Sequence, residues 1–106
     1  MTEISTVALI TAKPGSGDDV GTALRELAAA THGEDGCLQY SLHRGLQEPD
    51  VFLTIEKWRS KADLDAHLSS PHLQAALAAA GELLAEQPRI IPAQPMGVGA
   101  DGKGAF

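Results

Sequence analysis

A chain of 106 residues, 43% hydrophobic and 21% charged, holds one domain with a single two-layer core. Its formal net charge of −6, with eight Lys and Arg that form no run, argues against a nucleic-acid partner, which needs clustered cations. A lone cysteine, Cys37, excludes an internal disulfide framework and a zinc ribbon and is compatible with a reducing cytoplasm.

The opening MTEISTVALI lacks the basic-then-apolar pattern of a signal peptide. No later stretch is apolar for long enough to span a bilayer. The expectation is a cytoplasmic protein with no membrane partner. Residues 4–12, ISTVALITA, are rich in β-branched side chains and run into the turn cluster KPGSGDD, predicting a strand and a loop. Ser16 or Asp18 is placed to cap the helix that follows, in which Val20, Leu24, Leu27 and Ala28 recur at helical spacing. The GEDG cluster ends it.

Residues 37–44, CLQYSLHR, set Leu38, Tyr40 and Leu42 against Cys37, Gln39, Ser41 and His43, the alternation of a half-buried strand. A short link leads to VFLTIEKW at 51–58, so the two runs should pair as an antiparallel hairpin. Phe52, Thr54, Glu56 and Trp58 share one face of the second run, and Val51, Leu53 and Ile55 share the other. Apolar groups on both faces predict a central strand covered on both sides. SKAD at 60–63 reads as a capping box opening a short helix with Leu64, His67 and Leu68 on one face. Ser70 and Pro71 then cap and start a second helix, whose inward stripe is Leu73, Ala76, Leu77, Ala80, Leu83 and Leu84, ending at Pro88. RIIPAQPM at 89–96 is a last strand, confined to an edge by Pro92 and Pro95.

The order β-α-β-β-α-β predicts an α+β, ferredoxin-like sandwich over residues 1–96, with its second helix split, followed by a Gly-rich tail at 97–106. Helices of this length cover one face of a four-stranded sheet. The other face would be apolar and wet, which predicts a homodimer packed sheet to sheet about a two-fold axis.

The single Trp and two of the four His fall within residues 58–72. The run Gly36-Cys37-x-x-Tyr40, then Phe52-Leu53-x-x-Glu56-Lys57-Trp58-x-Ser60, then Leu64-x-Ala66-His67-Leu68-x-x-Pro71-His72 resembles the antibiotic biosynthesis monooxygenase (ABM) superfamily, and within it the small quinol-monooxygenase-like members. That resemblance implies a dimeric α/β-barrel of ferredoxin-like halves. It implies oxygenation of a small electron-rich aromatic, such as a quinol or an anthrone, by O₂ without a cofactor or metal, the substrate supplying the electrons. An apolar pocket, a base and hydrogen bonds to the growing oxyanion would then be the protein's part. His67, Trp58, Tyr40 and Glu56 are the candidate catalytic groups, and Phe52, His72, Leu64 and Leu77 the candidate substrate-binding ones.

Each residue also has a plainer reading. Trp58 can plug the corner between sheet and helix, and His67 can be a satisfied core residue. His72 can hydrogen-bond back to a loop, and Glu56 can pair with Arg44 or Arg59. His67 and His72 lie five residues apart across a helix break, a spacing that does not imply shared metal ligation. Cys37 has no base beside it in sequence and is a poor nucleophile candidate. Haem-degrading relatives would need an axial His where this chain has Leu77, with Ala8 and His67 at the other diagnostic positions. A non-oxidative isomerase and a non-catalytic binding or stress-response module are the competing functions on the same scaffold.

Overall fold

A computed structural model describes residues 3–104. Strand β1 (Ile4–Thr11) leads to helix α1 (Gly17–Thr31), and the hairpin of β2 (Cys37–Arg44) and β3 (Val51–Trp58) leads to helices α2 (Lys61–Leu68) and α3 (Pro71–Ala80). A 3-10 turn at Gly81–Leu83 and strand β4 (Arg89–Ala93) complete the order. The sheet runs β2-β3-β1-β4 with every neighbour antiparallel, the ferredoxin-like arrangement the pattern predicts. It is open, with β2 and β4 at its edges.

The helices lie on one face. That face collects Ala8 and Ile10 from β1 and Phe52 from β3 under Val20, Leu24 and Leu27 of α1. A second cluster, Tyr40, Trp58 and Leu64, sits under α2. β3 is central, but it is covered on one side only. Phe52, Thr54, Glu56 and Trp58 are buried, whereas Val51, Leu53 and Ile55 on the reverse face remain half-exposed. The expectation of cover on both sides fails within a single chain because all three helices occupy the same layer.

Several local expectations are corrected by contacts distant in sequence. Neither Ser16 nor Asp18 caps α1 with its side chain. Asp50, from the end of the hairpin link, takes that role: its carboxylate accepts from the backbone N–H of Gly17 at 2.8 Å and of Gly15 at 3.1 Å. The alternation of β2 breaks at a bulge between Cys37 and Gln39, which leaves Leu38 exposed and turns Cys37 toward the Trp58 cluster. Helix α3 stops at Ala80 rather than continuing to Pro88, and only Ala80 in it is fully buried. A helix with so little buried surface roofs a space more than it fills one. Among the described residues no helix is long and apolar enough to cross a membrane.

The caps at the helix break form as the sequence predicts. Ser60 Oγ accepts from the Asp63 N–H at 3.2 Å and donates to the Asp63 carboxylate at 2.7 Å. Ser70 Oγ accepts from the Leu73 N–H and donates to the His67 carbonyl at 2.7 Å, so one buried hydroxyl fixes the corner between α2 and α3. On the other side of the site, the turn between α1 and β2 is tied to this region at Gly36, whose carbonyl accepts from the Arg59 N–H at 2.9 Å. A Cβ on Gly36 would collide with Cβ and Cγ of Asp63, a side chain that Arg59 and Ser60 hold in place. Gly36→Ala should therefore destabilise the fold by about 1–3 kcal/mol through overpacking, read from the shift in denaturation midpoint. An unchanged midpoint would show that the turn moves away without cost.

Candidate functional site

The site is built where the end of α2 meets the turn after α1. His67 occupies the last turn of α2, is 4% exposed, and lies against the two aromatic side chains of the second cluster. Its ring centroid is 4.7 Å from that of Trp58 and 5.6 Å from that of Tyr40. Its Nδ1 is 2.7 Å from Oε2 of Glu34, a residue 33 positions earlier in the chain. His72, in the first turn of α3, brings its Nε2 to 2.8 Å from the same oxygen.

An ionised carboxylate only accepts hydrogen bonds. The arrangement therefore places protons on His67 Nδ1 and His72 Nε2, and leaves the lone pair of a neutral His67 on Nε2. Among the described residues Nε2 of His67 has no hydrogen-bond partner. The turn that carries Glu34 is itself held by backbone bonds from Glu34 N–H to Thr31 and from Cys37 N–H to Glu34. The carboxylate is thus delivered to the imidazole by a fixed piece of chain.

A second carboxylate lies deeper. Glu56 is 5% exposed and makes no pair with Arg44 or Arg59, the partners its charge suggested. Those arginines turn outward to Asp18 and Asp63. Glu56 instead accepts from the Thr54 hydroxyl at 2.6 Å and from the Trp58 indole N–H at 2.9 Å. These two donors on its own strand offset the loss of water that burial imposes. Burial, and then the nearby Glu56 carboxylate, pushes the Tyr40 phenol above its ordinary pKa. Burial also raises the Cys37 thiol, with Glu34 and Glu56 adding to it, which holds the sulfur in its unreactive protonated form.

Between this group and α3 lies a cavity of about 180 Å³. Tyr40, Glu56 and His67 line its inner end, among apolar side chains that include Ile10, Leu24 and Leu73. Leu77, Leu84, Gln87, Pro88 and Ile90 surround the outer part, where α3 and β4 stand apart. Of the candidates read from the sequence, the structure puts His67, Tyr40, Glu56 and Leu77 on the wall.

The other four stand elsewhere. Trp58 is fully buried behind His67, with its indole N–H committed to Glu56. Leu64 packs into the Trp58 cluster. Phe52 lies beneath α1, against Gly21 and under the Arg44 guanidinium, 5.2 Å from ring centroid to charge. His72 faces Glu34 on the far side of His67. Strand and helix periodicity identifies which residues point inward, but it does not separate those that meet a void from those that meet another side chain.

The model of the family described as antibiotic biosynthesis monooxygenase matches residues 4–79. The chain belongs to this family. It is similar to "Putative monooxygenase Rv0793" of Mycobacterium tuberculosis, 40% identical over 70 residues that span 62% of this chain and 68% of that protein. It is also similar to "Putative monooxygenase YcnE" of Bacillus subtilis, 30% identical over 77 residues, 73% of this chain and 81% of the relative. An uncharacterized Synechocystis protein, sll1783, is 28% identical over 81 residues, which is 76% of this chain and 55% of that longer protein. The crystal structure of PA3566 from Pseudomonas aeruginosa superposes with a TM-score of 0.80 at 33% identity, covering 89% of this chain and 94% of that one. The structure of Rv0793 gives 0.83 at 25% identity, covering 93% and 100%.

Glu34 is the member of this candidate site that sequence reasoning misses. It sits in a Gly-flanked acidic turn beside Asp35, and nothing in its local pattern marks it as the partner of a histidine more than 30 residues away. Tyr40, by contrast, is legible and measurable, because the chain has a single Tyr. Burial holds its folded pKa above the ordinary phenol value of about 10, so the fold favours the neutral phenol. That contribution to stability is complete below about pH 10 and is lost as pH rises toward the folded value. An absorbance titration should show no phenolate at pH 10 in the folded protein, with the denaturation midpoint falling only above that pH. Normal ionisation in the folded state would mean that Tyr40 is solvated.

Proposed function

We propose that this ABM-family protein is a monooxygenase that oxidises a small hydroquinone-like substrate with O₂, the substrate supplying the electrons. The observation that carries this reading is a buried imidazole, fixed by a carboxylate on Nδ1 and lining an apolar cavity. In this reading Nε2 of His67 takes the proton from a substrate hydroxyl. Glu34 is a positioning residue that holds the tautomer and stabilises the imidazolium that forms. Tyr40, kept neutral by burial, is a donor to the developing oxyanion rather than a base. Trp58 backs the imidazole and Glu56 anchors Trp58.

The chemistry balances without another reductant. The substrate anion passes one electron to O₂, and the two radicals join to form a carbon–oxygen bond. Loss of the proton on that carbon breaks the O–O bond, releases water and leaves a new carbonyl. A hydroquinone plus O₂ thus becomes a hydroxyquinone plus water, with four electrons drawn from the substrate. An apolar wall suits this sequence because it excludes water from the radical pair. Cavity size favours a monocyclic substrate. Engineered apolar cavities of about 150 Å³ bind benzene, so the space here fits one substituted ring better than a tricyclic anthrone.

The reverse face of the sheet supports a homodimer in this reading. Val7 and Ile91, paired across β1 and β4, are 37% and 51% exposed beside Leu9, Leu53 and Ile55. A second copy related by a two-fold axis would cover them. Ile55→Asp should then convert a dimer into a monomer in sedimentation experiments. A wild-type monomer at micromolar concentration would remove the dimer from the proposal.

O₂ uptake with a reduced monocyclic quinone tests the reaction. His67→Ala should lower kcat by roughly 10²–10⁴-fold, the usual contribution of a general base, while secondary structure is retained. Glu34→Gln should lower kcat more than it changes KM, because it affects orientation rather than binding. An unchanged rate in His67→Ala would take the imidazole out of the mechanism. Proton exchange or isomerisation of a carbonyl substrate at full rate without oxygen would assign the same dyad to an isomerase instead.

A further inference from the structure

Behind the imidazole, away from the cavity, three donor atoms of types that bind late transition metals converge. Nδ1 of His67, Nε2 of His72 and a carboxylate oxygen of Glu34 all lie within 4.8 Å of one another. The spacing of the two histidines along the sequence argues against shared ligation, because five residues on one helix would point them apart. The break at Ser69 and Ser70 cancels that argument. It ends α2 just after His67 and starts α3 just before His72, so the chain turns and both rings face the Glu34 turn. Ring centroids of the two histidines are 6.0 Å apart.

We propose that Glu34, His67 and His72 form a binding site for a divalent transition-metal ion such as Zn²⁺ or Ni²⁺. Two neutral imidazoles and one carboxylate are a recurrent donor set for these ions and leave further coordination positions to water. Ligand bonds of about 2.0–2.2 Å place neighbouring donors roughly 3.0–3.4 Å apart. The present 2.7 and 2.8 Å contacts to Glu34 Oε2 are hydrogen bonds, so that oxygen has to withdraw by about half an ångström, while the two ring nitrogens, within 4.8 Å of each other, have to close to the same spacing. The ion would replace the two protons those bonds now carry.

Access comes from the His72 side. The side chains of His72 and Glu34 are 25% and 17% exposed, against 5% for His67. Neither His72 nor Glu34 lines the cavity, so the ion would lie behind His67 rather than against a substrate. Bound there, it would join the α1–β2 turn to the α2–α3 corner through three bonds. The site is defined by binding alone and does not depend on the oxygenase reading.

The single Trp provides the readout, because its ring is 4.7 Å from that of His67. Ni²⁺ added to the full-length protein should quench Trp58 fluorescence with a stoichiometry of one ion per chain, and Zn²⁺ should compete with it and raise Tm. His72→Ala, a change at a partly exposed position, should weaken the quench by more than about 10-fold, and Glu34→Gln should weaken it in the same direction. His43→Ala, which removes an exposed histidine outside the site, should leave it unchanged. Far-ultraviolet circular dichroism confirms that each variant is folded. Absence of a saturable quench in the wild type would overturn the proposal, as would a quench of equal affinity in His72→Ala. Loss of the quench in His43→Ala alone would place the ion at the surface of β2 and also overturn it.

Discussion

One carboxylate oxygen holds the site together. Oε2 of Glu34 meets His67 and His72 at once, and so ties the turn after α1 to the corner where α2 ends and α3 begins. Without that oxygen Nδ1 of the buried His67 would lose its partner as well, a cost of about 1–3 kcal/mol for a neutral group. The corner between the two helices would also lose its tie to the neighbouring turn. The orientation of the imidazole is therefore a property of the tertiary fold and not of the helix it belongs to.

Two carboxylates close to one aromatic cluster are handled differently. Glu34 keeps some contact with water and holds histidine protons. Glu56 is shut away, satisfied by an indole N–H and a hydroxyl that both come from β3. Strand geometry explains the second case: residues two apart on one face stand side by side, so Thr54 and Trp58 flank Glu56. The same negative charge then makes ionisation of Tyr40 unfavourable. In the proposed reaction this keeps the proton-accepting imidazole and the proton-donating phenol distinct.

Much of this was legible in the sequence. Alternation in 51–58 marks Phe52, Thr54, Glu56 and Trp58 as one inward face, and the Ser60 and Ser70 caps with Pro71 give the split helix correctly. Those signals are local, and local rules of spacing and capping are enough to read them. The residues that escaped notice depend on contacts across the fold. Asp50 caps a helix 33 positions away, Glu34 reaches His67 over an equal distance, and the β2 bulge reverses the expected roles of Cys37 and Leu38. No period of 2 or 3.6 encodes such contacts.

The helix break links the two halves of this picture. A continuous helix from Lys61 to Ala80 would place His67 and His72 on different faces, and at most one of them could meet Glu34. Ser70 and Pro71 end that possibility by forcing extended backbone between the two helices. The displaced α3 then packs loosely: Leu77 is 41% exposed and only Ala80 is fully buried. The break that gathers the histidines is also where α3 begins, and Leu73, Ala76 and Leu77 of that helix wall the cavity beside His67. Straightening the break would turn the two histidines apart and also move the helix that walls the cavity, so the site's two parts depend on one feature of the chain.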